Sequence, residues 1–258
     1  MQALIVEIGN SVTDFAVFDG TTFLAAYTAQ TEILSVGNAG YEQIEKILHD
    51  HPDVNHAAVC SVVPLAGGHI YHVLGNILSG RVLDINSSLT LPFELDYNPP
   101  SALGADRLAL CAYSSRLRED HAVIALDIGT ATTFDVLGSG GKYLGGMILP
   151  GLDLMATVLH DRTAKLPDVR ISEPPISLLG KTTHDCIQSG VFWGCVRQVE
   201  GLLTEIRHYL DDVLGEKNIM VIATGGNSRF VAGAMKEPPM IDEQAVLKGA
   251  KVLLDINM

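Results

Sequence analysis

The chain has 258 residues, of which 47% are hydrophobic and 18% charged. That is enough apolar material for one large globular domain or two modest ones. Its formal net charge of -13 disfavours nucleic acid and anionic membrane as partners, but leaves anionic small molecules open to any local positive site.

Residues 1–8 form an apolar run interrupted by Glu7, with no basic flank and too short for a leader peptide. No run of about 18 apolar residues suggests a membrane span. Cys60, Cys111, Cys186 and Cys195 make no CxxC pair, and the histidines show no zinc spacing. Buried free thiols in a reducing cytoplasm are the expected reading.

In chain order, Leu4-Ile5-Val6-Glu7-Ile8-Gly9-Asn10-Ser11-Val12-Thr13-Asp14-Phe15-Ala16-Val17-Phe18 reads as strand, acid-Ile-Gly turn, strand. The Asp19-Gly20 turn then leads to a third strand over residues 21–27. Residues 41–50 carry Ile44, Ile47 and Leu48 at helical spacing, and residues 56–63 read as a buried strand. His49 and His51 are expected to be solvated at a helix end. His69 and His72 share a helix face without a third ligand. Residues 103–117 predict a helix, and a lobe boundary falls between about residues 116 and 121.

The pattern then repeats. Ala125-Leu126-Asp127-Ile128-Gly129-Thr130-Ala131-Thr132-Thr133-Phe134-Asp135-Val136-Leu137 is again strand, acid-Ile-Gly turn, strand, with a Gly-rich turn and a third strand over 142–148. A long helix is predicted from about residue 182 to 214, with Phe192 and Trp193 in a core or subunit seam and Asp211-Asp212 at a solvated end. Lys165 reads as a surface lysine. A short strand, 219–223, ends in Thr224-Gly225-Gly226, and residues 244–254 close the chain as a helix. Two copies of a three-stranded meander followed by alternating helix and strand imply two similar α/β lobes.

Each acid-x-Gly turn puts a carboxylate at a strand end and a glycine where backbone can approach a ligand. Backbone N–H groups and hydroxyls there suit phosphate oxygens, and the carboxylates suit hard cations. Two such turns facing one another would hold a nucleoside triphosphate; taken singly, each is equally an ordinary β-turn. Gly225 and Gly226 fit an adenosine-side contact. Between the repeats, Tyr97-Asn98-Pro99-Pro100-Ser101-Ala102-Leu103-Gly104-Ala105-Asp106-Arg107 opens a helix. Arg107 suits a carboxylate. Asp106 is either a first-turn acid that complements the helix dipole or a base that deprotonates a hydroxyl for attack on phosphorus.

In these residues the sequence resembles the type III pantothenate kinases, the bacterial first enzymes of coenzyme A synthesis, nearly end to end. The motifs are Glu7-Ile8-Gly9-Asn10-Ser11, Gly104-Ala105-Asp106-Arg107, Asp127-Ile128-Gly129-Thr130-Ala131-Thr132-Thr133 and Tyr143-Leu144-Gly145-Gly146-Met147-Ile148-Leu149-Pro150-Gly151. Thr163-Ala164-Lys165-Leu166-Pro167, Gly180-Lys181-Thr182-Thr183, Gln188-Ser189-Gly190 and Ala223-Thr224-Gly225-Gly226 complete them.

The resemblance implies two duplicated ribonuclease H-like lobes of the actin-like ATPase fold with an interlobe cleft, lobe one over 1–117 and lobe two over 118–258. It implies ATP-dependent phosphorylation of pantothenate with Mg²⁺ and a monovalent cation, potassium or ammonium. Glu7, Ile8, Gly9, Asn10, Ser11, Val12, Thr13 and Asp14 would line the first phosphate loop, and Thr130 would contact ATP from the second. Asp127 would ligate the monovalent cation. Asp106 would be the general base. Gly104, Ala105, Asp106 and Arg107 would hold pantothenate, with Tyr97 and Thr183 as further contacts. A cytoplasmic homodimer is implied.

Glu7 stands where the family usually has Asp, which moves the carboxylate by about one carbon–carbon bond, ~1.5 Å. Pro99, Ala102 and Leu103 also depart from the family pattern. An impaired, ligand-binding paralogue and a kinase of another small hydroxy acid are the alternatives.

Overall fold

A computed structural model describes residues 1–34 and 39–258. The chain divides into two compact units, Met1–Leu117 with Gln244–Met258, and Arg118–Glu243.

The first unit begins with β1 (Gln2–Ile8), β2 (Val12–Asp19) and β3 (Thr22–Gln30), an antiparallel meander. Gly20, at φ +57°, makes the tight β2–β3 turn. The short α1 (Thr31–Leu34), α2 (Ala39–Asp50), β4 (Val54–Ser61), α3 (Pro64–Ile77) and β5 (Val82–Asp84) follow. The sheet order is β3-β2-β1-β4-β5, with β4 and β5 parallel to β1. β1 is buried along nearly its whole length, because it is central and covered on both faces. Leu4, Val6, Phe15 and Val17 pack with Ile44 and Ile47 of α2 and Ile70 and Leu74 of α3. α4 (Ala105–Leu117), entered through a 3-10 turn at Pro100–Ala102, packs with the last helix of the chain.

The second unit repeats the plan. β6 (Ala122–Ile128), β7 (Ala131–Leu137) and β8 (Tyr143–Pro150) form the meander, then α5 (Leu152–Asp161) and α6 (Thr183–His208). A π-helical turn, Tyr209–Val213, prolongs α6. β9 (Ile219–Thr224), α7 (Ser228–Ala232) and β10 (Met240–Ile241) follow, and the sheet order is β10-β9-β6-β7-β8. Read from the meander edge, both sheets have the same order and the same strand directions, so the sequence repeat is a fold repeat. The core lies between the sheet and α6, where Ile124, Leu126, Phe134 and Ala223 meet Phe192, Val196 and Val199.

The last helix, α8 (Ala245–Ile256), differs from expectation: it joins the first unit, not the second. It lies on β1, β4 and α4, and a side chain at Gly249 would run into the Ala109 carbonyl of α4. An apolar helix at the end of a chain carries no local sign of which sheet it covers. Asp211, expected at a solvated helix end, lies in the π-helical turn, where it is part-exposed and ion-paired with Lys217. His51, expected to be solvated, meets Tyr27, with Nε2 3.0 Å from Oη.

Candidate active site

Glu7 and the residues that follow it stand at the carboxyl end of β1. Glu7 is the penultimate residue of that strand, flanked in register by Asp14 of β2 and Cys60 of β4. The Asp14 carboxylate accepts a hydrogen bond from the Thr28 hydroxyl at 2.6 Å. Residues 9–11 link β1 to β2, and the Gly9 N–H donates to the Val12 carbonyl at 2.9 Å. Asn10 and Ser11 are exposed at the tip.

Asp106 sits in the first turn of α4, half-buried, and its Oδ1 accepts the Arg107 N–H at 2.7 Å. Burial pushes its carboxyl above the usual Asp range, and the Arg107 amide and charge offset this only in part. A Cβ at Gly104 would lie 2.5 Å from Asp106 Oδ1, so the carboxylate occupies space that only glycine leaves open. Arg107 is 6% exposed, and its guanidinium lies 5.8 Å from the centre of the Tyr97 ring. Burial pushes the Cys60 thiol well up, and the charges of Glu7, Asp106 and Asp84 add to it. The first-loop acid and the candidate base are thus both felt at one buried sulfur. Glu7, Tyr97, Gly104, Ala105, Asp106 and Arg107 all belong to this unit.

In the second unit Asp127 occupies the position that Glu7 holds in the first. It is flanked by Thr133 of β7 and Thr224 of β9. Gly225, at φ +93°, lies directly against the Asp127 carboxylate, and any side chain there would collide with Oδ1. The Asn227 N–H donates to the Ile128 carbonyl at 2.9 Å, and the Gly151 N–H to the Thr130 carbonyl at 2.9 Å. The second acid-x-Gly turn is therefore gripped from both sides by glycine-containing segments. Thr130 and Gly226 remain exposed. The hydroxyls of Thr132, Thr133 and Ser228 are buried without a hydrogen-bond partner, an arrangement that ligand oxygens or a cation would relieve.

Thr183 is exposed at the start of α6, which is capped by Thr182 accepting the Asp185 N–H at 3.1 Å. A groove lined by Arg197, Glu200, Thr204, Arg207, Lys236 and Glu237 lies at the other end of α6 and contains none of the predicted residues. Lys165 is exposed, and Trp193 stacks edge-on against Phe192 beside the core. Among the described residues, no group of three or more His, Cys, Asp or Glu is placed to hold a metal ion. No helix there is long and apolar enough to cross a membrane.

Sequence reading missed Asn227, whose side chain donates to Asp153 at 3.3 Å, and the buried Ser228. It also missed Thr31, whose hydroxyl donates to the Gly9 carbonyl at 2.8 Å. Thr31 and Asn227 have no local signal, because each acts on a segment distant in the chain.

Two copies of this five-stranded plan, each with an acid-x-Gly turn at the end of its first strand, define the actin-like ATPase fold. Component A of the (R)-2-hydroxyglutaryl-CoA dehydratase of Acidaminococcus fermentans is similar to it in structure. It superposes with a TM-score of 0.54 at 14% identity over 98% of this chain and 96% of that one. A Baf family protein of Campylobacter jejuni superposes with a TM-score of 0.59 at 20% identity over 98% and 97%. In sequence, the type III pantothenate kinase of Chlorobium luteolum is 50% identical over 254 residues, 98% of this chain and 94% of that one. A model of the type III pantothenate kinases matches residues 3–205. The chain belongs to the type III pantothenate kinase family.

Proposed function

We propose that this protein transfers the γ-phosphoryl group of ATP to the primary hydroxyl of pantothenate, giving 4'-phosphopantothenate, the first step of coenzyme A synthesis. Family membership carries the reaction. The single structural observation that supports it most is the Gly104–Arg107 segment: a half-buried carboxylate of raised pKa next to a guanidinium held over Tyr97.

In this reading Arg107 pairs with the pantothenate carboxylate, and Tyr97 limits the ways its guanidinium can turn. That fixes the substrate's hydroxyl end toward Asp106, which accepts the hydroxyl proton as oxygen attacks phosphorus. Residues 7–14, and separately Thr130, Gly225 and Gly226, are the proposed ATP contacts. Thr183 is a further pantothenate contact.

ATP is used with a divalent metal, as in kinases generally; magnesium needs few protein ligands when phosphates supply the rest. The second unit fits a potassium or ammonium ion as well. Asp127 would hold it, with the unpartnered Thr133 hydroxyl in the adjacent strand position. A bound monovalent cation would supply positive charge beside the phosphates.

A cytoplasmic homodimer is part of the proposal. The exposed Met147, Ile148, Leu154 and Val158 along β8 and α5 support self-association. The test of the reaction is ADP release followed by a coupled assay, with and without pantothenate, in potassium, sodium and ammonium. Turnover that depends on pantothenate and falls in sodium is expected. No dependence on pantothenate would overturn the assignment.

A further inference from the structure

The first phosphate loop is not a self-closed turn. Four residues, Gly9 to Val12, lie between the paired positions Ile8 and Thr13, whereas three, Gly129 to Ala131, lie between Ile128 and Thr132 in the second. In a turn of this kind the Val12 N–H ordinarily closes onto the Gly9 carbonyl. Among the described residues no such backbone bond is made; only the reverse bond, from the Gly9 N–H to the Val12 carbonyl, is present. The Gly9 carbonyl instead accepts the Thr31 hydroxyl at 2.8 Å.

Thr31 makes two further bonds that fix its own orientation. Its N–H donates to the Ser11 carbonyl at 3.1 Å. Its Oγ1 lies 2.9 Å from that of Thr13, and both side chains are buried. A hydroxyl has one proton. The Thr31 proton goes to Gly9, so Thr13 must donate to Thr31. The relay runs in one direction: Thr13 O–H to Thr31 Oγ1, and Thr31 O–H to the Gly9 carbonyl.

The consequence follows from peptide geometry. In a planar trans peptide the N–H points opposite to the C=O. Thr31 holds the Gly9 and Ser11 carbonyls, so the N–H groups of Asn10 and Val12 point away from it. The turn is left open, with donors free to meet an anion.

We propose that Thr31 is the positioning residue of the first phosphate loop, drawing the Gly9 carbonyl out of the turn so that the Asn10 and Val12 amides stay directed at phosphate oxygens. In this role Thr31 acts through the loop, on the Gly9 and Ser11 carbonyls. The proposal rests on the reading that this loop binds nucleotide.

The experiment compares Thr31→Val, Thr31→Ser and Thr13→Val in the full-length protein. The readouts are ADP binding by calorimetry, steady-state kinetics in ATP and in pantothenate, and melting temperature. Thr31→Val, which keeps shape but loses the hydroxyl, is expected to weaken ADP binding and raise KM for ATP by about tenfold, the scale of one lost hydrogen bond. KM for pantothenate should stay within about twofold, and Thr31→Ser should restore nucleotide binding. Thr13→Val frees the Thr31 hydroxyl to rotate and should act in the same direction, by about two- to fivefold.

Unchanged ADP affinity in Thr31→Val, or equal losses for both substrates, would overturn the proposal, as would failure of Thr31→Ser to restore binding. If Thr31→Val does not fold, unchanged ADP affinity in Thr13→Val overturns it instead. A wild-type protein that binds ADP but does not phosphorylate pantothenate would sink the functional reading alone, because the calorimetry would still decide the role of Thr31.

Discussion

Gly104 and Asp106 are fitted to each other: the Asp106 Oδ1 fills the place where a Cβ at position 104 would stand, 2.5 Å away. The carboxylate is also tied to the Arg107 N–H. Its rotamer is thereby set from two sides.

Gly104→Ala should therefore displace the proposed base without removing it. A shift of about 1 Å at a reacting group can cost about a hundredfold in rate, so kcat should fall on that scale. The fold should persist, because Gly104 has no positive φ to strain. Steady-state kinetics with a thermal melt checks both. A kcat within twofold of wild type would show that the Asp106 geometry is not held by Gly104.

The pH dependence of Asp106 has opposite signs for activity and stability. A base works only when ionised, so kcat/KM should fall with acidification through a value above 3.8, the ordinary position of Asp. For stability, the folded state holds this proton to higher pH than the unfolded chain. Stability from this group is present below the unfolded value and is lost as pH rises through the folded one. Asp106→Asn should then abolish turnover yet raise the melting temperature at neutral pH. A variant that melts lower there would contradict the inferred burial cost.

The two acid-x-Gly turns and the Gly104–Arg107 segment could be read from sequence because each is contiguous, and because the repeat made every turn a control for the other. What escaped was long-range. Thr31 acts on a carbonyl 22 positions away, and Asn227 reaches Asp153 across 74 positions. A threonine at the start of a short helix has no local mark of such a role. α8 was misassigned for the same reason: Gly249 against Ala109 is a contact between distant segments. Turn chemistry is written locally, whereas the partners that hold a turn open are chosen by packing.

Glu7 offers a test of the impaired-paralogue alternative. Its carboxylate shares the surroundings of Cys60 with Asp106, so its reach matters. Glu7→Asp shortens that reach by about 1.5 Å. If the loop is built around glutamate, kcat should drop by about tenfold or more, with KM for pantothenate unchanged. A gain in rate would instead show that glutamate impairs this loop, and would favour the alternative.

Arg107 is nearly buried, and its planar group lies over Tyr97. Lysine keeps the charge but cannot form a two-pronged contact with a carboxylate or lie flat on the ring. Arg107→Lys should raise KM for pantothenate by about ten- to a hundredfold, the cost of one charged hydrogen bond, with KM for ATP nearly unchanged. Loss of ATP affinity without loss of pantothenate affinity would move Arg107 to the phosphate side of the reaction.

Gly225 carries two constraints at once. Its φ of +93° lies where other residues are strained, and a Cβ there would collide with the Asp127 carboxylate. Gly225→Ala should lose about 1–3 kcal/mol of stability from backbone strain alone. The added methyl must also push Asp127 or the Ile128 carbonyl aside. The two effects can be separated. Strain lowers the melting temperature whatever the salt, whereas displacement of Asp127 should weaken activation by potassium. Measuring ADP release against potassium concentration should therefore show a higher half-saturating concentration in Gly225→Ala. If the melting temperature falls and the potassium response is unchanged, Asp127 does not hold the cation and the glycine serves the backbone alone.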